Sequence, residues 1–319
     1  MKLFDRDGFG AQEIVAAIGL ISSDITFDIW EPLLSFGIRE VTAITGREPI
    51  EALSRFYMSG EIASEEFPEP EKLRDALKYL QKGVAFFTWL RIIPTLDAQH
   101  DGNGRQRRLG ENEKGLSALQ EYKDEQNILR LAYEAVDALI AELDAGEFPF
   151  WTGSRKYRLR RGLLLRSKEE FDEYYNIGSH RLFVTLLPII REVQGGQISP
   201  ILGDRYSDIL IQGEDEKICS RLGDPARRAL ALLTMQKAIE RLPVEVIPEG
   251  VVQVQISQPV KSRLKAEREA RNAVAASLGA DGERSLRQLQ DIVAALDGEE
   301  NAAESSMPHP LIHSRGMTF

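Results

Sequence analysis

Ser179-His180-Arg181-Leu182-Phe183-Val184-Thr185-Leu186-Leu187-Pro188-Ile189-Ile190 decides how this chain is read, because its pattern has already occurred once. Ser23-x-x-x-Phe27-x-x-Trp30-x-Pro32-Leu33-Leu34 carries the same internal spacing. Working outward, Gly46 and Gly203 close the two segments, with Arg47 and Arg205 close behind. Ala76-Leu77-x-x-Leu80-Gln81-Lys82 then matches Ala231-Leu232-x-x-Met235-Gln236-Lys237, and Ile93-Pro94 matches Ile247-Pro248. The matches keep their order at an offset of about 155 residues. Such self-similarity predicts tandem duplication: helical unit 1 over 1–150, helical unit 2 over 151–298, and a flexible C-terminal arm over 299–319.

Within each unit the periodicity is helical. Ile14, Ala17, Ile18 and Ile21, and later Phe171, Tyr174 and Tyr175, mark short opening helices. Apolar residues at 27, 30, 34, 38 and 41, and at 183, 186, 190 and 193, step by three or four along one face. Ser23 and Ser179 are the expected N-caps, and Pro32 and Pro188 are expected to kink or restart the helix. Leu73, Leu77, Leu80, Val84 and Phe87 form the clearest stripe, matched by Leu232, Met235, Ile239 and Leu242. The period then changes: Ile92-Ile93-Pro94-x-Leu96 and Val244–Ile256 read as short strands or hairpins, turning at Asp101-Gly102 and Glu249-Gly250. Charged helices over about 115–145 and 259–297 end the units, stopped by Gly146 and Gly298, the second broken near Gly279–Gly282. The expected class is mostly α with minor β.

The whole chain has 319 residues and a net charge of −10. An acidic balance is unsuited to a bulk surface that coats phosphate backbones, so any DNA contact is expected to be local. The lone Cys219 excludes an intrachain disulfide. Apolar runs such as Val84–Leu90 fall short of the ~20 residues that span a bilayer, and Met1–Asp7 is charged early, so a soluble, non-exported chain is expected. Walker, Gly-x-Ser-x-Gly, dinucleotide and Cys/His metal spacings are missing from the sequence. No catalytic, cofactor or metal site is therefore predicted. Cys219 reads as a small buried hydrophobe.

Asp101-Gly102-Asn103-Gly104-Arg105-Gln106-Arg107-Arg108 resembles the end of the Fic motif, H-P-F-x-[DE]-G-N-G-R-x-x-R, of enzymes that transfer AMP to hydroxyl side chains. That resemblance implies an acid holding Mg²⁺ at Asp101, phosphates cradled at Asn103, and charge neutralised by Arg105 and Arg108. The histidine position, however, holds Asp97 and the phenylalanine position Gln99, while His100 comes three residues late. Aspartate, ordinarily titrating near ~3.9, is a poor base for a hydroxyl. The expected reading is a glycine-bearing hairpin turn; a divergent Fic-like AMP transferase is the alternative.

Two segments read as interface. Arg155, Lys156, Arg158, Arg160 and Arg161 surround Tyr157 in a run without an acid between Thr152 and Lys168, fit for nucleic acid, an acidic partner or a neighbouring copy. Pro308, His309, Pro310, Leu311 and Ile312 lie in the tail, expected to order on a partner.

Ser167–Phe171, Tyr175-x-Ile177, Arg181-x-Phe183-x-x-Leu186-x-Pro188, Ile201-Leu202-Gly203 and Met235-Gln236-Lys237 together resemble an uncharacterised family of mostly helical proteins encoded by phages and prophages of Bacteroidales. The resemblance extends over about 1–300 and implies a virion role as a head–tail connector. It implies a ring of copies in the neck of a tailed phage, assembled in the bacterial cytoplasm. Its partners would be portal and tail proteins, with DNA passing through the lumen and no membrane.

Overall fold

Leu73, Leu77, Leu80, Val84 and Phe87 are all buried along α5 (Pro70–Leu96). This helix packs against α6 (Ala118–Gly146), which buries Ile128, Ala132, Val136, Leu139 and Leu143 at helical spacing. These two helices are the frame of the first of two compact units, Met1–Arg161 with Ile177–Leu187. The computed structural model describes residues 1–19, 26–96, 98–101, 104–107, 117–211, 216–242 and 260–306.

Four shorter helices complete that core: α1 (Gly10–Ile18), α2 (Phe27–Trp30), α3 (Leu34–Thr45) and α4 (Glu48–Met58). Trp30 stacks on Trp89 with ring centroids 5.4 Å apart. α3 crosses α5 at Gly37, where a Cβ would lie 2.3 Å from the Val84 carbonyl oxygen and 2.4 Å from Thr88 Oγ1. Only the missing side chain lets these backbones approach so closely. The segment from Ile92 to Leu96, expected as a strand, is instead the last part of α5, with Pro94 inside it. Thr95 Oγ1 donates to the Ile92 carbonyl at 2.6 Å, occupying an acceptor at the helix end. Strands β1 (Ala98–Asp101) and β2 (Gly104–Arg107) follow, antiparallel, with Ala98 paired to Arg107 and Asp101 to Gly104. The expected hairpin at 244–256 lies outside the described residues.

The division between units falls after Arg161 rather than after residue 150. Helices α7 (Pro149–Thr152) and α8 (Arg155–Arg158) stay with the first unit because Trp151 and Arg160 are buried there. The second unit is Gly162–Asn176 with Pro188–Phe319. Its elements are α9 (Lys168–Asp172), the end of α10 (His180–Val193), a π-helical turn (Gln194–Ile198), α11 (Ser199–Leu202), α12 (Arg205–Ile211), α13 (Glu216–Arg241) and α14 (Val260–Ser306). Pro188 sits within α10 without ending it. In the π-turn, buried Gln194 accepts from Leu164 N at 2.7 Å and donates to the Gly162 carbonyl at 2.7 Å, tying the start of this unit in place.

α13 packs along α14, and here two expectations change. Helix α14 runs unbroken through Gly279, Gly282 and Gly298 to Ser306, so residues 299–306 are helical and not part of an arm. A Cβ at Gly282 would stand 2.7 Å from Leu233 Cγ, and one at Gly279 would stand 2.9 Å from the Gln236 side chain. Both glycines admit the neighbouring helix; neither interrupts its own.

The register of the repeat also changes. α3 and α10 begin at Leu34 and His180, α5 and α13 at Pro70 and Glu216, an offset of about 146 residues in each case. At that offset no buried residue of 75–96 corresponds to an exposed one of 221–242. Exposed Asp75 and Lys78 correspond to exposed Arg221 and Asp224, and buried Thr88 corresponds to buried Thr234. At about 155 residues, Asp75 and Lys78 would correspond to buried Leu230 and Leu233. The identities around Gln81 and Gln236 are shared helix composition, displaced along the axis.

Candidate functional site

The basic run divides into a structural part and an exposed part. Ser154, itself buried, caps α8 by accepting from Tyr157 N at 3.1 Å. Arg155, Arg158 and Arg161 are exposed, and none forms an ion pair among the described residues. Lys156 is half-buried with its stem against Gly46. Glu48 caps its own backbone and accepts from Arg155 N at 3.2 Å. Those backbone hydrogen bonds, with a smaller contribution from the Arg158 charge, hold its carboxyl below the usual range.

Arg160, expected at an interface, is instead 6% exposed. Its guanidinium lies 5.5 Å from the Trp151 ring centroid, 5.1 Å from that of Tyr157 and 5.4 Å from that of Phe183. Nη1 donates to Asp144 Oδ1 at 2.8 Å, and the same oxygen accepts from Trp151 Nε1 at 2.7 Å. A weakly hydrated, planar cation tolerates such an aromatic box where lysine would not. Arg160 is a clamp holding the end of the first unit to α6.

Sequence reasoning missed a second polar cluster on the same helix. Asp137 accepts from Ser179 Oγ at 2.9 Å and from Arg181 N at 2.6 Å, while Ser179 Oγ accepts from Leu182 N at 3.1 Å. Ser179 is thus the N-cap that its position predicted, with a carboxylate from α6 reinforcing it. Arg181 is buried with its guanidinium 4.0 Å from the Tyr133 ring centroid, and burial lowers its pKa from the ordinary arginine value. The signal was present as Tyr133, Asp137 and Asp144, which recur on one helical face of an otherwise apolar stripe.

In the second unit, a groove of about 450 Å³ is lined by Leu202, Asp204, Arg205, Asp208 and Asp297 among others. Arg205 Nη1 bridges to Asp297 at 2.6 Å across it. Among the described residues, no group of three or more His, Cys, Asp or Glu side chains is arranged to hold a metal. Likewise no described helix is long and apolar enough to cross a membrane. The side chains of Asp97, Asp101, Asn103, Arg105, Arg108 and Cys219, and the tail residues Pro308, His309, Pro310, Leu311 and Ile312, lie outside what the structure describes. The structure brings the five basic-run residues into one short stretch, of which three arginines face outward.

Two stretches, 53–161 and 198–296, match a family described as "Family of unknown function (DUF6712)". The two starts are separated by nearly the same offset as the helices, consistent with a duplicated unit. No curated protein and no solved structure matched the chain.

Proposed function

The chain belongs to DUF6712, a family of unknown function, and on that premise we propose that it is a structural virion protein of a tailed phage. In this reading it is a head–tail connector or neck subunit, not an enzyme. It assembles with copies of itself into a ring, between portal and tail proteins and around the DNA path. The phage assignment comes from the sequence resemblance to proteins of Bacteroidales phages and prophages. One hairpin per unit, the second near 244–256, belongs to the same reading.

One structural observation supports it most. Arg155, Arg158 and Arg161 are exposed and form no ion pair among the described residues, on a chain whose net charge is −10. A local cationic face on an acidic body suits contact with an acidic protein surface or passing phosphates, without coating nucleic acid. The buried arginines support it from the other side: Arg160 and Arg181 are used to fix helices, as in a rigid building block.

Mass spectrometry of purified particles and electron micrographs of the purified chain test the proposal. Stoichiometric presence in virions and ring-shaped assemblies are expected. A monomer absent from particles would overturn it. Incubation with Mg²⁺ and ATP provides the opposing test: adenylated product, lost in Asn103→Ala, would replace the connector reading with the transferase.

A further inference from the structure

Among the described residues, the opening of α6 is largely exposed. Ser117 and Gln120 form a capping box there, which starts the helix by local hydrogen bonds. From Leu119 to Asn127 every side chain except that of half-buried Glu121 is exposed, and Ile128 is the first buried residue. Leu119 and Tyr122, one turn apart, are 62% and 56% exposed. Large apolar side chains grouped in this way mark a contact surface more than single ones do.

The charges around them say what kind of partner fits. The face that buries Ile128, Ala132 and Leu139 extends backwards, at steps of three and four, onto Glu125 and Glu121. Where the core stripe ends, carboxylates take the core positions. Asp124 adds a third, and Lys123 is the one cation in this stretch. Such a surface accepts a cationic partner with some apolar area. α8 and the turn after it offer that chemistry: exposed Arg155, Arg158 and Arg161 beside the half-buried ring of Tyr157.

We infer that the exposed start of α6 is a docking surface for the α8 face of a second copy of this chain. Two different patches meet, so the contact is heterologous, the kind that closes into a ring or extends into a filament. Desolvation of Tyr122 and Leu119 supplies the apolar part, and Asp124 and Glu125 facing the arginines supply steering and register. The inference rests on the self-assembly part of the proposed function and not on the virion assignment.

Charge exchange on the full-length chain tests it, read by mass photometry and sedimentation. Arg155→Glu/Arg158→Glu/Arg161→Glu is expected to lose at least tenfold in self-association, as is Asp124→Lys/Glu125→Lys. An equimolar mixture of the two variants is expected to regain it, because every contact then joins opposite charges. Recovery in the mixture also shows that both variants fold. Leu119→Gln/Tyr122→Gln is expected to weaken association without restoring it in any mixture. If both charge variants assemble as the parent chain does, or if the mixture stays dissociated, the surface is wrong while the ring reading stands. A parent chain that remains monomeric at all accessible concentrations overturns the contact as well. Absence from particles would remove the virion role and leave an observed contact intact.

Discussion

The two units differ in how they anchor similar pairs of long helices. The first encloses one ion pair, Arg160 to Asp144, under three aromatic rings, alongside surface pairs such as Arg47 to Glu51. In the second, Glu192 bridges both Lys237 and Arg241 at the surface. The glycines that permit close approach also differ. The first unit uses Gly37 on the crossing helix α3, and the second uses Gly279 and Gly282 on the paired helix α14. A shared helical frame therefore does not fix where a fold is vulnerable. The first unit depends on a buried charge, the second mostly on apolar fit.

The strongest test of that contrast is Asp144→Ala. It strands a buried guanidinium and removes the acceptor of Trp151 Nε1, a loss expected to reach about 3–5 kcal/mol. Chemical denaturation should show the first unit unfolding before the second. Gly37→Val comes next, at about 3 kcal/mol, because the obstructing atom is the Val84 backbone carbonyl and cannot move aside. Gly282→Ala crowds the Leu233 side chain at 2.7 Å while the Leu233 backbone nitrogen stays at an ordinary 3.4 Å, so about 1–2 kcal/mol is expected in the same measurement. If Gly282→Ala proves the costlier of the two, the contrast between backbone and side-chain contact fails.

Thr88 and Thr234 sharpen the comparison at corresponding positions. Thr88 Oγ1 donates to the Val84 carbonyl at 2.7 Å, whereas the buried Thr234 hydroxyl has no hydrogen-bond partner among the described residues. Thr234→Val is expected to stabilise by up to about 1 kcal/mol, and Thr88→Val to be neutral or slightly destabilising. Opposite signs in paired melting curves would bear out the difference. The smallest effect concerns acid. Arg241, and after it Lys237, hydrogen-bond Glu192 and push its carboxyl down to about 2. A depressed carboxylate stabilises fully above its ordinary value near 4.5 and loses that contribution as pH falls towards about 2. Glu192→Gln should flatten this small acid-dependent component in urea midpoints followed across that window.

Much of the fold is legible in the amino-acid order alone. The stripe from Leu73 to Phe87 and the cap at Ser179 rest on local spacing, which needs no knowledge of neighbours. The expected stop at Gly146 falls one residue later, where Glu147 takes the left-handed conformation. The repeat register is not legible in the same way. α5 and α13 are buried on several sides, so small shared strings such as Ala-Leu-x-x-Leu/Met-Gln-Lys recur at wrong displacements. Nor is the role of Gly279 and Gly282, since a glycine that breaks a helix and one that admits a neighbour look alike in one dimension. Arg160 is hidden for a related reason. Its five-residue surroundings are cationic, while the rings and carboxylate that enclose it come from Trp151, Phe183 and Asp144. Of the exposed site, the arginines at 155, 158 and 161 are legible by charge alone.

The 146-residue correspondence has a practical consequence for anyone redesigning this chain. Gly83 aligns with Ala229, Phe87 with Leu233, and Ile92 with Ala238, so each helix already displays side chains its twin has lived with. Transplanting a residue between matched sites draws on choices vetted in a sibling setting. Gly83→Ala, whose new methyl would sit 3.4 Å from Val136 Cγ2, is the mildest such exchange with which to begin.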